Sequence, residues 1–157
     1  MRATDLRAGL RQLAAFVAML VTAYLTLATS CDEGFRDAEL AGKTTLAAGE
    51  SERRLAFVAR VDGVIERVVF DVEPPVTFSV FENGADAGAG PIGDVWGDGS
   101  LGIDCGSRDC GDLEVVFMRG DFEGELELGV TASVTVRSGS CEGDAPTYIE
   151  LEFQEAD

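Results

Sequence analysis

The segment ELELGVTASVTVR, residues 125–137, decides the fold class of this chain. Its even-numbered positions, from Leu126 to Val136, are all apolar, whereas its odd-numbered positions are polar, charged or glycine. A period of two places the apolar side chains on one face of a β-strand, whereas a helix sorts its faces with a period of 3.6. The pattern therefore predicts one long strand over residues 125–137 with one buried face.

Weaker alternation precedes this strand. Leu55, Phe57, Ala59 and Val61 alternate with Arg54, Val58 and Arg60, and runs rich in valine and phenylalanine follow at 64–72 and 76–81. Glycine and proline interrupt these runs, as is typical of antiparallel strands. About eight short strands in one domain predict an all-β fold, an antiparallel β-sandwich or jelly roll over residues 43–157.

Matching the apolar faces predicts the neighbours of the long strand, because a slip of one residue would turn its apolar side chains to solvent. One prediction pairs residues 113–117 with 126–130 and leaves a turn over 120–123. The other pairs residues 149–153 with 132–136. In this arrangement the outer acidic residues do not oppose one another, so we interpret that face as solvated surface.

The N-terminal 31 residues have the organisation of an export signal. Three arginines (Arg2, Arg7 and Arg11) precede an uncharged, largely apolar run, which ends in small residues before Cys31. The end of this run, Leu27–Cys31, resembles the bacterial lipoprotein box, although Ala28 occupies a position where that family usually has leucine. The resemblance implies a signal peptide, helical, over 1–30 and a Cys31 that carries the lipid anchor.

Lipidation would place the protein on the exported side of a bacterial membrane, in the cell envelope. A secreted protein cut near Ser30 and an uncleaved anchor are the alternatives. Residues 31–42 are acidic and carry few large apolar side chains, so we interpret them as a tether between lipid and domain. The alternative assigns them to the edge of the domain.

The charge of the chain excludes several partners. The formal net charge is −17, and it becomes −19 without residues 1–30, which carry three arginines and one aspartate. Such a domain repels phosphate backbones and anionic headgroups, so we expect no nucleic-acid binding and no electrostatic attachment to a membrane. The remaining partners are the membrane, through a lipid, and an envelope protein or glycan.

The segment 83–112 is rich in glycine and aspartate, the residues of calcium loops and also of ordinary turns. Asp94, Asp98 and Asp104 are the candidate Ca²⁺ ligands, but their spacing fits no EF-hand, and plain loop is the favoured interpretation. Trp96, the sole tryptophan, lies among them. It is a candidate contact for a sugar or a protein, and packing against its own loop is the favoured alternative.

Cys105, Cys110 and Cys141 remain if Cys31 is lipidated, an odd number for an oxidising compartment. Cys105 could pair with Cys110 or with Cys141, and we favour the local pair. If Cys31 is not lipidated, two bridges become possible. Three cysteines without histidine make a poor zinc site.

The chain contains no histidine, which removes histidine-dependent nucleophilic catalysis. No motif singles out a pair of carboxylates for hydrolysis, and no glycine-rich loop opens a helix to hold phosphate. We therefore expect no catalytic residues, no cofactor and no enzymatic activity. A small hydrolase is the least favoured alternative.

Residues 49–81 resemble the small β-sandwich modules found as pre-peptidase C-terminal domains of secreted bacterial proteins. The likeness is carried by Gly49-Glu50-Ser51, by the Val58–Gly63 segment and by Val68–Val72. It implies a sandwich fold. We predict an envelope-anchored lipoprotein that carries a non-catalytic binding or structural module, with the loop end around Trp96, Cys105 and Cys141 facing a partner. A calcium-stabilised extracytoplasmic domain is the main alternative.

Overall fold

The structure is a computed structural model that describes residues 34–83, 90–106, 108–139 and 145–155. Residues 1–33 lie outside the described residues, as does Cys141, so the signal segment and the lipid site are not described. Within the described ranges no helical segment has the length and hydropathy of a membrane span. The chain forms nine strands in these ranges: β1 (Phe35–Leu46), β2 (Glu52–Val61), β3 (Gly63–Glu73), β4 (Phe78–Glu82), β5 (Gly93–Val95), β6 (Ser100–Asp104), β7 (Asp112–Met118), β8 (Leu126–Ser138) and β9 (Ile149–Glu155).

The strands form two antiparallel sheets that pack face to face. One sheet has the order β1-β8-β3-β6, and the other has the order β5-β4-β7-β2-β9. The prediction of an all-β sandwich is confirmed. Except for the step from β4 to β5, each strand is followed in sequence by a strand of the opposite sheet. Consecutive strands therefore lie in different sheets, and only β4 and β5 are hydrogen-bonded neighbours among the described strands.

This alternation makes both predicted pairings of the long strand wrong. β8 pairs with β1 and β3, whereas β7 pairs with β2 and β4, and β9 pairs with β2. The apolar residues of β7 and β8 do share one core, against which those of β9 pack, but β8 lies in one sheet and β7 and β9 lie in the other. Apolar matching across a sandwich is satisfied as well as it is between neighbours in one sheet. The 120–123 segment is accordingly a link between sheets and no hairpin turn.

The predicted boundary between tether and domain at residue 43 is also wrong. β1 starts at Phe35 and pairs with β8 along its whole length, with Phe35 opposite Arg137 and Leu46 opposite Leu126. Most outer residues of β1 are polar, Phe35 and Ala41 being the exceptions, because the strand has one solvated face. Low hydropathy in residues 35–42 thus reflects an edge strand.

The core is made by the inward faces that the alternation predicts. Leu128, Val130 and Val136 of β8 are buried, as are Leu55 and Phe57 of β2. Phe57 of one sheet packs edge-on against Phe70 of the other, with ring centroids 5.4 Å apart, so an aromatic pair joins the two layers.

Arg119 ties together the loops at one end of the sandwich. Its guanidinium donates hydrogen bonds to five backbone carbonyls, those of Leu46, Ala47, Glu50, Phe122 and Gly124. The first three belong to β1 and the β1–β2 link, and the last two to the β7–β8 link. One side chain therefore joins two crossings between the sheets.

Candidate binding pocket at the disulfide end

The two ends of the sandwich carry different features. At one end, which we call the disulfide end, β2 passes into β3 and β6 passes into β7, and the Cys105–Cys110 bridge lies in the second of these links. At the opposite end Arg119 holds the β1–β2 and β7–β8 links. In the sheet, Phe78 of β4 pairs with Val95 of β5 on one side and with Phe117, near the end of β7, on the other. Trp96 directly follows Val95. Trp96 therefore belongs to the Arg119 end.

The disulfide bond anchors the β6–β7 loop to the core. Cys105 and Cys110 are bonded, as favoured from the sequence, and both sulfur-bearing side chains are buried in the core. The amide of Cys105 donates to the carbonyl of Glu66 at 2.8 Å, and the amide of Arg108 donates to the carbonyl of Cys105 at 3.1 Å. The loop is thus fixed at its base and within its turn.

A bulge in β3 lies beside this loop. The pairing of β3 with β8 shifts by one residue between Ile65 and Arg67, which leaves Glu66 as the extra residue. The Glu66 carboxylate accepts a hydrogen bond from Arg137 Nε at 2.5 Å, and its carbonyl holds Cys105 as described above. Bulges bend a strand and redirect its side chains. Here the bulge joins the start of β3 to the disulfide loop.

A pocket of about 460 Å³ opens between these elements. Such a volume is in the usual range for small-ligand sites. We call it the disulfide-end pocket, and its lining comes from the end of β2, the start of β3, the disulfide loop and the residue before β9: Ala59, Arg60, Val61, Gly63, Val64, Ile65, Arg108, Asp109, Cys110, Gly111 and Tyr148.

Asp62 holds one wall of the pocket in place. Its carboxylate accepts hydrogen bonds from the Thr147 hydroxyl at 2.5 Å, the Thr147 amide at 3.1 Å and the Tyr148 amide at 2.8 Å. The bond from the Thr147 hydroxyl, followed by that from the Tyr148 amide, lowers the pKa of Asp62 below its usual value. The segment before β9 is thereby fixed to the β2–β3 turn.

Gly63 makes the same turn sterically possible. A Cβ atom at this position would lie 2.4 Å from the Arg137 carbonyl oxygen and would also meet Pro146. No side chain fits there, because both neighbours approach the backbone of Gly63 directly. The β2–β3 crossing therefore depends on a glycine that follows Asp62.

Two hydrogen bonds of Gly111 fix the end of the disulfide loop. The Gly111 carbonyl accepts from the Ala59 amide at 2.8 Å, which joins the loop to β2. The Gly111 amide in turn donates to Asp109 Oδ1 at 2.9 Å. Asp109 thus has a structural partner within the loop, and the loop presents both this carboxylate and the guanidinium of Arg108 to the pocket.

Two arginines line the pocket of a strongly acidic protein. Arg60 forms an ion pair with Glu150 across the β2–β9 ladder, with Nη1 and Oε2 separated by 3.6 Å, and its side chain is 61% exposed. At that distance and exposure the pair is weak. Arg108 is exposed, and its side chain has no ion pair or hydrogen bond with the residues that the structure describes. Both guanidinium groups are available to an anionic ligand.

Apolar and aromatic surface lies beside these charges. Val64 is 39% exposed and Tyr148 is 50% exposed, which is high for side chains of their size. The Tyr148 hydroxyl donates to Glu150, and this hydrogen bond raises the pKa of the tyrosine above its usual value. Tyrosine and arginine are enriched in protein interfaces, where one ring supplies large contact area at little entropic cost.

The candidate calcium ligands are not brought together. Asp94 lies in β5, Asp98 lies in the turn after it, and Asp104 ends β6 on the disulfide side. The four residue steps of β6 between Ser100 and Asp104 correspond to about 13 Å at the usual rise of a strand. Among the described residues, no group of three or more acidic or cysteine side chains could hold a metal ion.

Trp96 does not pack its loop against the core, contrary to the favoured prediction. It is 83% exposed. The predicted partner-facing loop end requires Trp96 and Cys105 to lie together. Trp96 lies at the Arg119 end and Cys105 lies at the disulfide end, so the structure does not bring these two residues together. Cys31 and Cys141 lie outside the described residues.

The residues that build the pocket were not predicted. Arg60 and Tyr148 are single residues in ordinary strand surroundings, and Arg108 was seen only as part of the interval between two cysteines. One signal was present: in a chain with this excess of acidic residues, an arginine inside a short disulfide loop is unusual. The convergence of the three depends on strand order, which the sequence does not display.

Comparison with known proteins places the chain in no family. No family model and no curated protein matches it. PliG of Aeromonas hydrophila, a periplasmic inhibitor of g-type lysozyme, is similar in structure, with 20% identity and a TM-score of 0.42 over 64% of this chain and 88% of PliG. A protein of Bacillus endospore appendages, a family of disulfide-linked pili, has 12% identity and a TM-score of 0.33 over 66% of this chain and 90% of that protein. Similarity at this level carries no argument about function.

Proposed function

We propose that this protein is an exported, non-catalytic binding module that takes a carboxylate-bearing segment of a partner protein in the disulfide-end pocket. The observation that carries the proposal is the placement of two available arginines, Arg60 and Arg108, beside the exposed side chains of Val64 and Tyr148 in a preformed pocket. A guanidinium group binds a carboxylate with strong directional hydrogen bonds, while the apolar wall accommodates an adjacent side chain.

Export is supported by two observations. The N-terminal segment has the organisation of a signal, and the Cys105–Cys110 disulfide is of a kind that persists in oxidising compartments. The absence of histidine from the sequence supports binding over catalysis.

The overall charge of the protein affects the rate at which such a partner associates. The negative field of the domain slows the approach of an acidic partner over long distances, whereas the contact with the arginines acts over a few ångströms. Because salt screens the long-range repulsion more than the close contact, we expect binding to persist at physiological ionic strength. Specificity then resides in the pocket and not in the net charge.

The pocket can be tested with a defined pair of probes. N-acetylphenylalanine carries a carboxylate next to an aromatic ring, and N-acetylphenylalaninamide has the same shape without the charge. In an NMR titration we expect the acid to shift the amide resonances of Ile65 and Gly111, and the amide to shift them far less. Arg108→Ala should abolish the difference, whereas Arg54→Ala, on the outer surface with Glu52 and Glu114, should preserve it. Equal shifts from both probes would refute carboxylate recognition.

The partner itself can be sought by photo-crosslinking in the native envelope. A photoreactive residue at position 64 lies in the pocket wall, and one at position 118 is its matched control, because Val64 and Met118 are both 39% exposed. We expect an adduct from position 64 that disappears when Arg108→Glu is added, and no such adduct from position 118. An adduct that survives the charge reversal would contradict the proposed site.

The exposed indole of Trp96 supports a second candidate, a glycan contact at the Arg119 end. Aromatic rings stack on the apolar faces of sugars, and no described side chain covers this ring, which is 83% exposed. Because Trp96 is the sole tryptophan, its fluorescence reports on this site alone. Oligomers of N-acetylglucosamine should shift or quench the emission if the site binds envelope glycan, and unchanged emission would exclude these sugars.

Attachment to the membrane through Cys31 stays a prediction from the sequence. The intact mass of membrane-extracted protein tests it, because a lipidated protein begins at Cys31 and carries acyl chains. A water-soluble protein without acyl chains would show that the signal is processed as that of a secreted protein. The binding proposal above holds in either case.

A further inference from the structure

The outer side of β1 is a long, regular sheet edge. Among the described strands β1 is the last of its sheet, and it pairs with β8 alone, without a bulge or a proline. The amide of Ser138 donates to the carbonyl of the directly opposite Gly34 at 2.8 Å, and hydrogen-bonded positions alternate along an antiparallel ladder. The backbone groups of the odd-numbered residues 37–43 therefore point away from β8. The carbonyl of Thr45 follows the same rule, because it accepts a hydrogen bond from Arg53 of β2 at 3.0 Å.

We propose that β1 pairs antiparallel with β1 of a second copy of the chain, in the register that places Ala41 on the two-fold axis. An edge strand can extend a sheet into a second chain through main-chain hydrogen bonds, and a two-fold interface uses the same residues on both sides. The sheets that contain β8 then form one continuous sheet across two molecules. The proposal is independent of the binding proposal, because β1 contributes no residue to the disulfide-end pocket.

The charges on the outer face of β1 fit a second copy of the same strand. Charged residues on an edge discourage pairing with most strands, so a partner must have complementary charges. With Ala41 opposite Ala41, Lys43 of each copy lies opposite Glu39 of the other, which gives two pairs of opposite charge. Asp37 lies opposite Thr45 and diagonal to Lys43. In this register no like charges of the outer face are opposed or diagonal.

The neighbouring registers bring like charges together. With Leu40 on the axis, Lys43 lies opposite Asp37, but the two copies of Glu39 become diagonal neighbours. With Gly42 on the axis, the two copies of Lys43 are diagonal. With Glu39 or Lys43 on the axis, the like charges are directly opposed, which destabilises a pair of strands. The charge pattern therefore favours the register centred on Ala41.

Lys43 can join the new pair and keep the partner that it has in its own chain. Its Nζ atom lies 2.7 Å from Glu127 Oε1, and the two side chains are 76% and 66% exposed. An ammonium group has three donors, so the carboxylate of Glu39 from the second copy adds a contact and replaces none.

Apolar groups beside the edge add to the contact. Leu40 of β1 and Phe153 of β9 are only partly buried in the single copy. The ring of Phe153 lies against Gly42, where a Cβ atom would be 2.6 Å from the ring. In the proposed register Leu40 of one copy lies opposite Gly42 of the other, so its side chain comes beside that ring. Pairing therefore removes further apolar surface from water.

Two charge-reversal variants test the proposal. The full chain is produced in a bacterium that exports it, and the purified protein is studied by sedimentation equilibrium at physiological ionic strength, where repulsion between two acidic molecules is largely screened. One strand from each copy makes a small interface, so the measurement extends to about 1 mM protein. We expect a dimer. Glu39→Lys and Lys43→Glu should each raise its dissociation constant at least about tenfold, because each variant opposes like charges twice.

Mixing the two variants gives the decisive measurement. In a dimer of Glu39→Lys with Lys43→Glu, each opposed pair joins a lysine of one copy to a glutamate of the other, so the mixture should associate as the unmutated protein does. Asp71→Lys is the matched control, because Asp71 is exposed on β3 of the same sheet, away from the edge. It changes the charge as Glu39→Lys does, and it should leave the dimer intact.

Amide exchange measured by NMR adds a readout for each position. As the protein concentration rises, the amides of Glu39, Ala41 and Lys43 should exchange more slowly, whereas those of Leu40 and Gly42, which already bond to β8, should not change. A protein that stays monomeric at the highest concentration, a mixture that does not associate, or a dimer that Glu39→Lys does not weaken would overturn the proposal. A failure of the probe titration at the disulfide-end pocket would leave this result unaffected.

Discussion

Replacing Arg119 by alanine is expected to destabilise the domain by about 3 kcal/mol, a large effect for one side chain near the surface. Three of its five hydrogen bonds go to exposed carbonyls, which regain water when the guanidinium is removed. The other two go to the partly buried carbonyls of Glu50 and Leu46. A hydrogen bond from a charged donor to such a group contributes about 1.5 kcal/mol or more, so two of them account for the estimate.

Urea unfolding monitored by far-UV circular dichroism measures this effect. With a slope of about 1.5 kcal/mol per molar urea, a loss of 3 kcal/mol lowers the midpoint by about 2 M. Arg54→Ala is the matched control, because Arg54 forms only exposed ion pairs, with Glu52 and Glu114, and should cost less than about 1 kcal/mol. Arg119→Lys keeps the charge but lacks the branched donor geometry, and should lie between the two.

The comparison can refute the reasoning. If Arg119→Ala and Arg54→Ala lower the midpoint equally, the carbonyl contacts contribute no more than an ordinary surface charge. If Arg119→Lys matches the unmutated protein, the charge alone is sufficient and the five-carbonyl geometry is irrelevant.

Three further outcomes are expected. Phe57→Ala should cost about 3 to 5 kcal/mol in urea unfolding, because it removes a fully buried ring that packs against Phe70 of the other sheet, and a loss below about 1 kcal/mol would contradict this core contact. Asp62→Asn should lower the thermal midpoint at pH 7. The pKa of Asp62 in the folded protein lies below its ordinary value of 3.8, so the stability advantage of the unmutated protein should be complete above pH 3.8 and should vanish as the pH falls through the folded pKa. A difference in midpoint that does not depend on pH would show that the ionised carboxylate is not its cause. Thermal melts in EDTA and in excess Ca²⁺ should give the same midpoint, since the described carboxylates form no metal cluster, and a rise of several degrees with Ca²⁺ would revive the calcium hypothesis.

The sequence was sufficient to predict the fold class and the inward faces. Alternation in residues 125–137 determines which side chains of β8 are buried, because a strand has only two faces. Strand pairing could not be predicted from the sequence. Matching apolar faces does not distinguish a neighbour in the same sheet from a strand in the other sheet, because both bury the same side chains. For this reason the predicted pairings placed β7 and β9 in the same sheet as β8.

The edge strand shows a second reason for failure. Residues 35–42 have the composition of a linker, yet they pair with β8 throughout. An edge strand needs fewer apolar residues, and polar residues on it discourage pairing with other chains. Composition alone does not distinguish such a strand from a tether, and only the long-range register with β8 identifies it.

The site was less predictable than the fold. The local bridge between Cys105 and Cys110 was favoured correctly, because a short interval needs no knowledge of topology. The pocket requires the β2–β3 turn, the β6–β7 loop and Tyr148 at one end of the sandwich. Those elements are far apart in sequence, and their convergence follows from a strand order that apolar matching misassigned.

The alternation of strands between the two sheets has a consequence for how the molecule reaches its folded state. Among the described strands, only β4 pairs with the strand that directly follows it, so local hairpins contribute little to either sheet. β1 pairs with β8, and β2 pairs with β7 and β9, so each of these strands pairs with a segment much later in the sequence. Ladders between such distant segments form slowly, because the intervening chain must be closed into a loop first. A polypeptide with this strand order cannot complete either sheet until residues 112–155, which form β7, β8 and β9, are available.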